Sequence, residues 1–413
     1  MRRQRGRVGL MAAALVGLVV GGAQAQVTTE RSSSILVFPK VIANGTRDTV
    51  IQITNTSNSM VHAHCFYVNG ALTFPEFPPG PQNPPLWIET DFDIWLTKQQ
   101  PTHWVVSQGR LVNAADQPCS NNAGVPNGQS GGFFPDGGFF DCNDAGLDPG
   151  RVPPVVDYFT GELKCIEVDP SGAPLSGNHL KGEATTTTFN VCDPGNPLDP
   201  SDGHCVLETG STCTDDGDCD ETVLDVAKYN AIGVIGNENN DGDNVLCLGG
   251  EPSEECPNGA EYDACPQVWI ANHFAEGAPN PTTESGTVET TWTIVPCTQN
   301  FEEQTPETVT LVINVWNEYE TAFSAGTRVT CWDELNLSEV DPVVFGYSAL
   351  GTSFAQSRLR SSGATASGFM MVQSEAYSTD DDDGIIATAD VNLHVEGERA
   401  GPDLITIPPD QIQ

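Results

Sequence analysis

His62 and His64 stand two residues apart in the segment VHAHCFYV. Residues two apart on a β-strand project from one face, so both imidazoles can reach a single transition-metal ion. Such a site needs a third ligand, and His103 and His179 lie on neighbouring candidate strands. A pair of polar residues on a strand face is the plainer reading of the same spacing. Asn237-x-Asn239-x-Asp241-Gly242 opens like a calcium loop, with oxygen ligands at alternate positions and then a glycine for the sharp turn. The acidic residue due at the twelfth position is missing, because Leu248 stands there. Asp381 and Asp383 belong to a second acidic cluster, and Asp215, Asp216, Asp218 and Asp220 form a third. Crowded carboxylates favour a cation, Ca2+ for this donor set, while exposed turns also carry such runs by solvation alone.

Trp87, Trp95 and Trp104 gather with Tyr67 in the N-terminal half. Exposed rings of this kind stack on sugars, and Trp95 is out of phase with Phe92, Ile94 and Leu96, which predicts that it faces outward. The alternative is that these rings cover the end of a sandwich. Signatures of nucleophilic or nucleotide chemistry are missing. Gly346-Tyr347-Ser348-Ala349-Leu350-Gly351 is one residue too long for a nucleophile elbow, and no HExxH, P-loop or dinucleotide fingerprint occurs. His273 and Glu276, three apart, face opposite sides of a strand. A glycosidase needs two placed carboxylates, and with 56 acids some such pair is inevitable and carries no weight.

These residues need strands to position them. Gly (41) and Pro (30) are frequent and amphipathic helical periodicity is nearly absent, which predicts many short strands joined by turns. Arg47–Gly70 reads as two strands joined by the polar turn Asn55–Ser59, with Cys65 pointing away from His62 and His64. Pro39 suggests that Ile35–Val41 is an edge strand. In Asp91–Thr97, Phe92, Ile94 and Leu96 face inward and the aspartates outward. Val309, Leu311, Ile313 and Val315 share a face, and Ile385, Ala387, Ala389, Val391, Leu393 and Val395 are expected inward with Asp390 outward. The fold class that follows is all-β: two antiparallel β-sandwich domains, Ig-like or jelly-roll-like, over 26–285 and 286–413. Long disulfide-pinned insertions at 111–150 and 191–222 interrupt the first, and a flexible tail ends the second.

Residues 1–25 have the form of a secretory signal: four arginines, the apolar run Val8–Val20 and the small-x-small site Ala23-Gln24-Ala25. That run is too short to span a bilayer comfortably, and no later stretch is long enough, so no membrane span is expected once the signal is removed. Removal takes away four arginines and no acid, leaving 13 basic residues against 56 acidic ones. Such a chain repels nucleic acid and anionic membranes. All thirteen cysteines follow residue 25, and in an exported chain they read as a disulfide framework with at least one thiol left over. The expected pairs are Cys119–Cys142, Cys213–Cys219 and Cys297–Cys331, with Cys65 as a buried free thiol. Cys247, Cys256 and Cys265 are expected to staple the loops between strands.

The opening strands followed by DFDIWLTKQQPTHWVVSQGR resemble a group of exported bacterial proteins of unknown function. NAIGVIG, TIVPCTQNFEEQ and NVWNEYETAFSAGTRVTCW look like pieces of the same group, and CTDDGDC is similar to small Cys/Asp-rich modules of bacterial surface proteins. The resemblance implies a β-sandwich and a surface or secreted location, and transfers no catalytic residue. Taken together, these features predict a non-enzymatic structural, adhesive or binding protein, secreted, at the cell surface or periplasmic. Its partner would be an extracellular glycan or protein, and Ca2+ an added stabiliser. Two alternatives remain: a carbohydrate-binding or carbohydrate-active sandwich using the tryptophans, and a metal-dependent enzyme built on His62 and His64.

Overall fold

A computed structural model describes residues 27–73, 85–110, 149–156, 158–193, 204–205, 208–214, 218–219, 224–283, 285–363, 367–379 and 385–409. The signal segment, Cys119 and Cys142, and Asp381 and Asp383 lie outside the described residues. Among the described residues the regular structure is nearly all strand, and the pairings are antiparallel apart from one short ladder and two isolated bridges.

Seven strands open the chain: β1 (Ile35–Ala43), β2 (Arg47–Asn55), β3 (Val61–Asn69), β4 (Ile88–Leu96), β5 (Pro101–Val105), β6 (Phe159–Val168) and β7 (Leu180–Phe189). With Leu224–Asn230 and Ile232–Val234 they make a nine-stranded sheet. A single register pair, Ala43 with Asp48, joins β1 to β2. The sheet therefore folds into two layers. One holds Ile232–Val234, β1, β6, β3 and β4, and the other holds Leu224–Asn230, β7, β2 and β5. Phe38, Ile51, Ile53, Tyr67, Trp104, Leu163 and Leu180 fill the space between them.

Two further five-stranded sheets follow. In the first, Ala322–Thr330, Thr308–Asn317, Phe354–Ser361, Pro266–Phe274 and His394–Glu398 lie side by side. In the second, Ala278–Pro279, Thr287–Pro296, Phe369–Ser378 and Ile385–Asn392 do so, and Asp333–Asn336 pairs with Thr287–Pro296. Strand Thr308–Asn317 shows why such segments extend: Val309, Leu311, Ile313 and Val315 are buried and alternate with exposed Thr310, Val312 and Asn314. The core of this half also takes in Ile35, Val37, Phe66, Val68, Ile166 and Val168. The β1–β6–β3 layer is thus covered on both faces. Every residue of β1 and β3 is buried, and every residue of β6 except Thr160.

Several expectations change. β2 and β3 do not form a hairpin: they lie in opposite layers, and the turn between them crosses from one layer to the other. Asn55 secures that crossing, its amide donating to the carbonyls of Ser59, Leu96 and Thr97 at 2.7, 3.1 and 3.0 Å. Pro39 is not on an edge. β1 is flanked by β6 and Ile232–Val234, and Pro39 falls where the register shifts between Phe38 and Val41, a bulge that spares its missing N–H. Strand Pro266–Phe274 belongs to the C-terminal sheets although it precedes residue 285. The end of the chain includes the strand Asp403–Thr406, paired with Val245–Leu248 and Gln299–Asn300.

The disulfides also differ. Cys65 is bonded to Cys165, its direct neighbour across β3 and β6. Cys213 bonds Cys192 and Cys219 bonds Cys205, so the Cys213–Cys219 pair is replaced by two crossed links. Cys297 bonds Cys265, not Cys331, because the strand that follows Cys265 packs within the C-terminal half. Cys247 bonds Cys256, as a loop staple should. Cys331 is a buried free thiol. The five disulfides among the described residues are those of a chain that folds in an oxidising compartment rather than the reducing cytosol. Among the described residues, no helix is long and apolar enough to cross a membrane.

Replacing both Cys65 and Cys165 by alanine is expected to lower the free energy of unfolding by about 3–5 kcal/mol, the range for a link that closes a long loop. Denaturant titration measures it. The same titration with an alkylating reagent should label Cys331 only across the unfolding transition.

Candidate functional site

The doubly covered layer and the strand β4 beside it carry a row of titratable side chains. One face can be read off in rows. Trp95, His62 and Val168 lie across from one another, then Asp93, His64, Ile166 and Ile35, then Asp91, Phe66, Lys164 and Val37, then Glu89, Val68 and Glu162. Glu89, Asp91, Asp93 and the two histidines therefore run along the β3–β4 side, and Glu162 and Lys164 lie deeper.

His62 is 7% exposed and its ring stacks on Trp95, centroids 3.9 Å apart. Its Nδ1 meets the Asp169 carbonyl at 3.0 Å and its Nε2 meets Asp93 Oδ1 at 2.5 Å. Both ring nitrogens are thus engaged by oxygens of the protein itself. His64 Nε2 pairs with Asp91 Oδ2 at 3.2 Å. That hydrogen bond, against the cost of burial, holds the Asp91 carboxyl below its usual range. His179 does not join them: it pairs with Glu167 at 2.7 Å. His103 lines an open groove of about 420 Å3 in the other layer, with Gln52, Thr54, Lys181 and Glu183. His62, His64 and His179 thus each meet a carboxylate of a nearby strand. Among the described residues, the groupings of three or more metal-type ligands consist of disulfide cysteines, in one case with Asp403.

The calcium-loop residues are held by the protein itself. Glu261, 4% exposed, accepts the amide of Asp241 at 3.1 Å and that of Cys247 at 2.9 Å. Asn237 N–H donates to the Glu261 carbonyl, Asn239 to the Ala260 carbonyl, and Asn258 to Asp241 Oδ2. Asp241 Oδ1 accepts from the amide of Asp243 at 3.2 Å. The Asp241 oxygens serve a turn, and Glu261, reached from outside the motif, supplies its anchor.

The tryptophans are core residues. Trp87, Trp95 and Trp104 are 5%, 4% and 2% exposed. Trp104 donates to Tyr67 Oη at 2.5 Å, and Trp87 stacks on Phe301. Trp95 is covered because its ring stacks on His62 of the neighbouring strand and its backbone N–H donates to the Pro149 carbonyl.

Two buried clusters had no sequence motif. Lys40 Nζ donates to Ser374 Oγ at 2.6 Å and to Asp390 Oδ1 at 2.9 Å, with Glu334 at 3.7 Å. Arg47 grips Glu334 through both guanidinium nitrogens at 3.0 and 2.8 Å. Burial alone would raise the Glu334 carboxyl, but Arg47 and Lys40 hold it down at about 2. The second cluster is Glu162, Lys164 and Gln299. Lys164 Nζ lies 2.5 Å from Glu162 Oε2 and donates to Gln299 Oε1, while Gln299 Nε2 donates to Glu162 Oε1. Its one sequence signal is a charged Glu-x-Lys pair inside an apolar strand. Asp390 was misplaced: it points inward, and Val391 is 39% exposed.

No protein-family model matches the chain, no curated protein matches its sequence, and no solved structure matches its fold.

Two predictions follow from these environments. Burial, with Asp91 adding, pushes the Glu89 carboxyl up to about 8; burial, with Glu339 adding, pushes Asp333 up to about 7. Carboxyls raised in the fold favour the unfolded chain once it ionises, so stability should fall as pH rises from about 4 towards 8. His273, lowered to about 4 by burial, acts the other way between 6.5 and 4. The urea midpoint should therefore be higher at pH 6 than at pH 8, and Glu89→Gln with Asp333→Asn should flatten the difference. Separately, Asp241→Asn should cost less than about 1 kcal/mol, equally in calcium and in chelator. A calcium-dependent rise in melting midpoint that this variant removes would assign the loop to the cation instead.

Proposed function

We propose that the protein is exported and acts outside the cytosol, secreted or at the cell surface, as a structural or adhesive scaffold rather than as an enzyme. The observation that carries this reading is where the polar chemistry goes. His62 with Asp93, His64 with Asp91, Lys40 with Asp390 and Lys164 with Glu162 are each engaged in pairs within or between layers of the fold. Catalysis needs such groups aimed at a space that substrate can enter. Here they tie strands together, as the Cys65–Cys165 disulfide does between β3 and β6.

The strongly acidic composition supports the same reading, since self-repulsion keeps an exported chain dispersed and turns away nucleic acid. With the tryptophans in the core, a glycan or protein ligand would have to use another surface. The groove beside Gln52, Thr54, His103, Lys181 and Glu183 offers donors and acceptors on an open sheet face.

The test is fractionation of a culture expressing the full chain, with mass spectrometry of its N-terminus. The expected result is protein outside the cytosol, beginning at Gln26, with its midpoint of unfolding lowered by reductant. Protein retained in the cytosol with residues 1–25 attached would overturn the reading. A glycan array on Gln52→Ala and His103→Ala variants then checks whether the groove takes a sugar.

A further inference from the structure

Glu162, Lys164 and Gln299 form a closed ring of contacts that an ion pair alone does not require. Their exposures are 0%, 1% and 1%. The amine of Lys164 touches the Glu162 carboxylate and the Gln299 carboxamide together, and the other carboxylate oxygen touches the carboxamide nitrogen. Gln299 is two residues from Phe301, whose ring stacks on Phe66 with centroids 4.5 Å apart and lies 6.0 Å from Lys164 Nζ. The three groups come from strands 135 residues apart and meet inside aromatic packing.

We propose that Lys164 and Gln299 condense into an intramolecular isopeptide bond, with Glu162 as the proton carrier. Lys164 Nζ, as the neutral amine, adds to Gln299 Cδ, so that an N–C bond forms. Glu162 takes a proton from Nζ through Oε2, and a carboxyl proton is delivered to Nε2 from Oε1. The Cδ–Nε2 bond then breaks and ammonia leaves. The products are a secondary amide, one ammonia and the regenerated carboxylate; nothing is oxidised or reduced. The setting suits each step. Burial lowers the Lys164 ammonium, which frees the nucleophile, although Glu162 opposes it. Both reacting groups are already in contact, so the reaction has the advantage of an intramolecular step. Cys331 lies near enough to feel both charges, but burial keeps its thiol protonated, so it does not compete for the carboxamide. The bond would weld β6 of the doubly covered layer to the short strand Gln299–Asn300 of the C-terminal half. The chemistry depends on this buried trio alone and not on what the protein binds.

Peptide mapping of the purified, reduced and denatured chain decides the matter. The expected result is a branched peptide joining Lys164 to Gln299, lighter by one ammonia than its two linear parts and resistant to trypsin after Lys164. The branched peptide is the readout, because an N-terminal Gln26 also loses ammonia when it cyclises and would confuse a whole-chain mass. Glu162→Gln keeps the shape but turns one of the two accepting oxygens into a donor and removes the proton carrier, and should leave both peptides linear. Linear Lys164 and Gln299 peptides from the unmutated protein would overturn the proposal and leave a buried ion pair. A branched peptide that persists in Glu162→Gln would overturn the role given to Glu162.

Discussion

One layer of this protein is buried on both faces, and the rest of the structure follows from that. β1, β3 and β6 pack on one side against β2, β5 and β7 and on the other against the C-terminal sheets. An antiparallel sheet commonly leaves one face to water, where polar residues can point. Here there is no such face, so each polar side chain on these strands must find a partner inside the protein.

The partners are chosen to balance charge. His62 meets Asp93, His64 meets Asp91, Lys164 meets Glu162, and Lys40 with Arg47 meets Asp390 with Glu334. A buried pair gains little over a well-packed apolar pair, because desolvation offsets the attraction. Removing one member is another matter, since it strands a charge where water cannot reach. Such pairs add register more than strength. Lys40 reaches Asp390 across 350 positions of sequence and only when the two halves sit in one arrangement. Trp332 makes a similar demand, donating its indole N–H to the Pro39 carbonyl at 2.7 Å at the same bulge.

Much of the fold was legible where a strand has one buried face. Thr308–Asn317 alternates as its sequence says, and Phe92, Ile94 and Leu96 are inward. The reading failed where another element covers the side expected to face water. Trp95 was expected in solvent and lies against His62. Asp390 was expected outward and points at Lys40, with Val391 turned out in its place. Alternation gives two faces but does not say which is wet. The site was less legible still. His62 and His64 do share a face, yet what they face is a pair of aspartates on the next strand. Glu162, Lys164 and Gln299 come from distant segments, and no spacing within either one foretells the third member.

The sequence by itself determined the all-β character, the reliance on disulfides and the acidic surface, because strand propensity, cysteine content and net charge are properties of composition and short-range pattern. Only the tertiary structure decided that Cys65 pairs with Cys165 while Cys331 stays a thiol, and that the candidate ligands are interior partners. Those outcomes turn on which layer covers which, and side chains hundreds of residues apart have no local rule that brings them together. The two-residue spacing of His62 and His64 permits a metal; the fold lays an aspartate against Nε2 of each ring and a carbonyl against Nδ1 of His62.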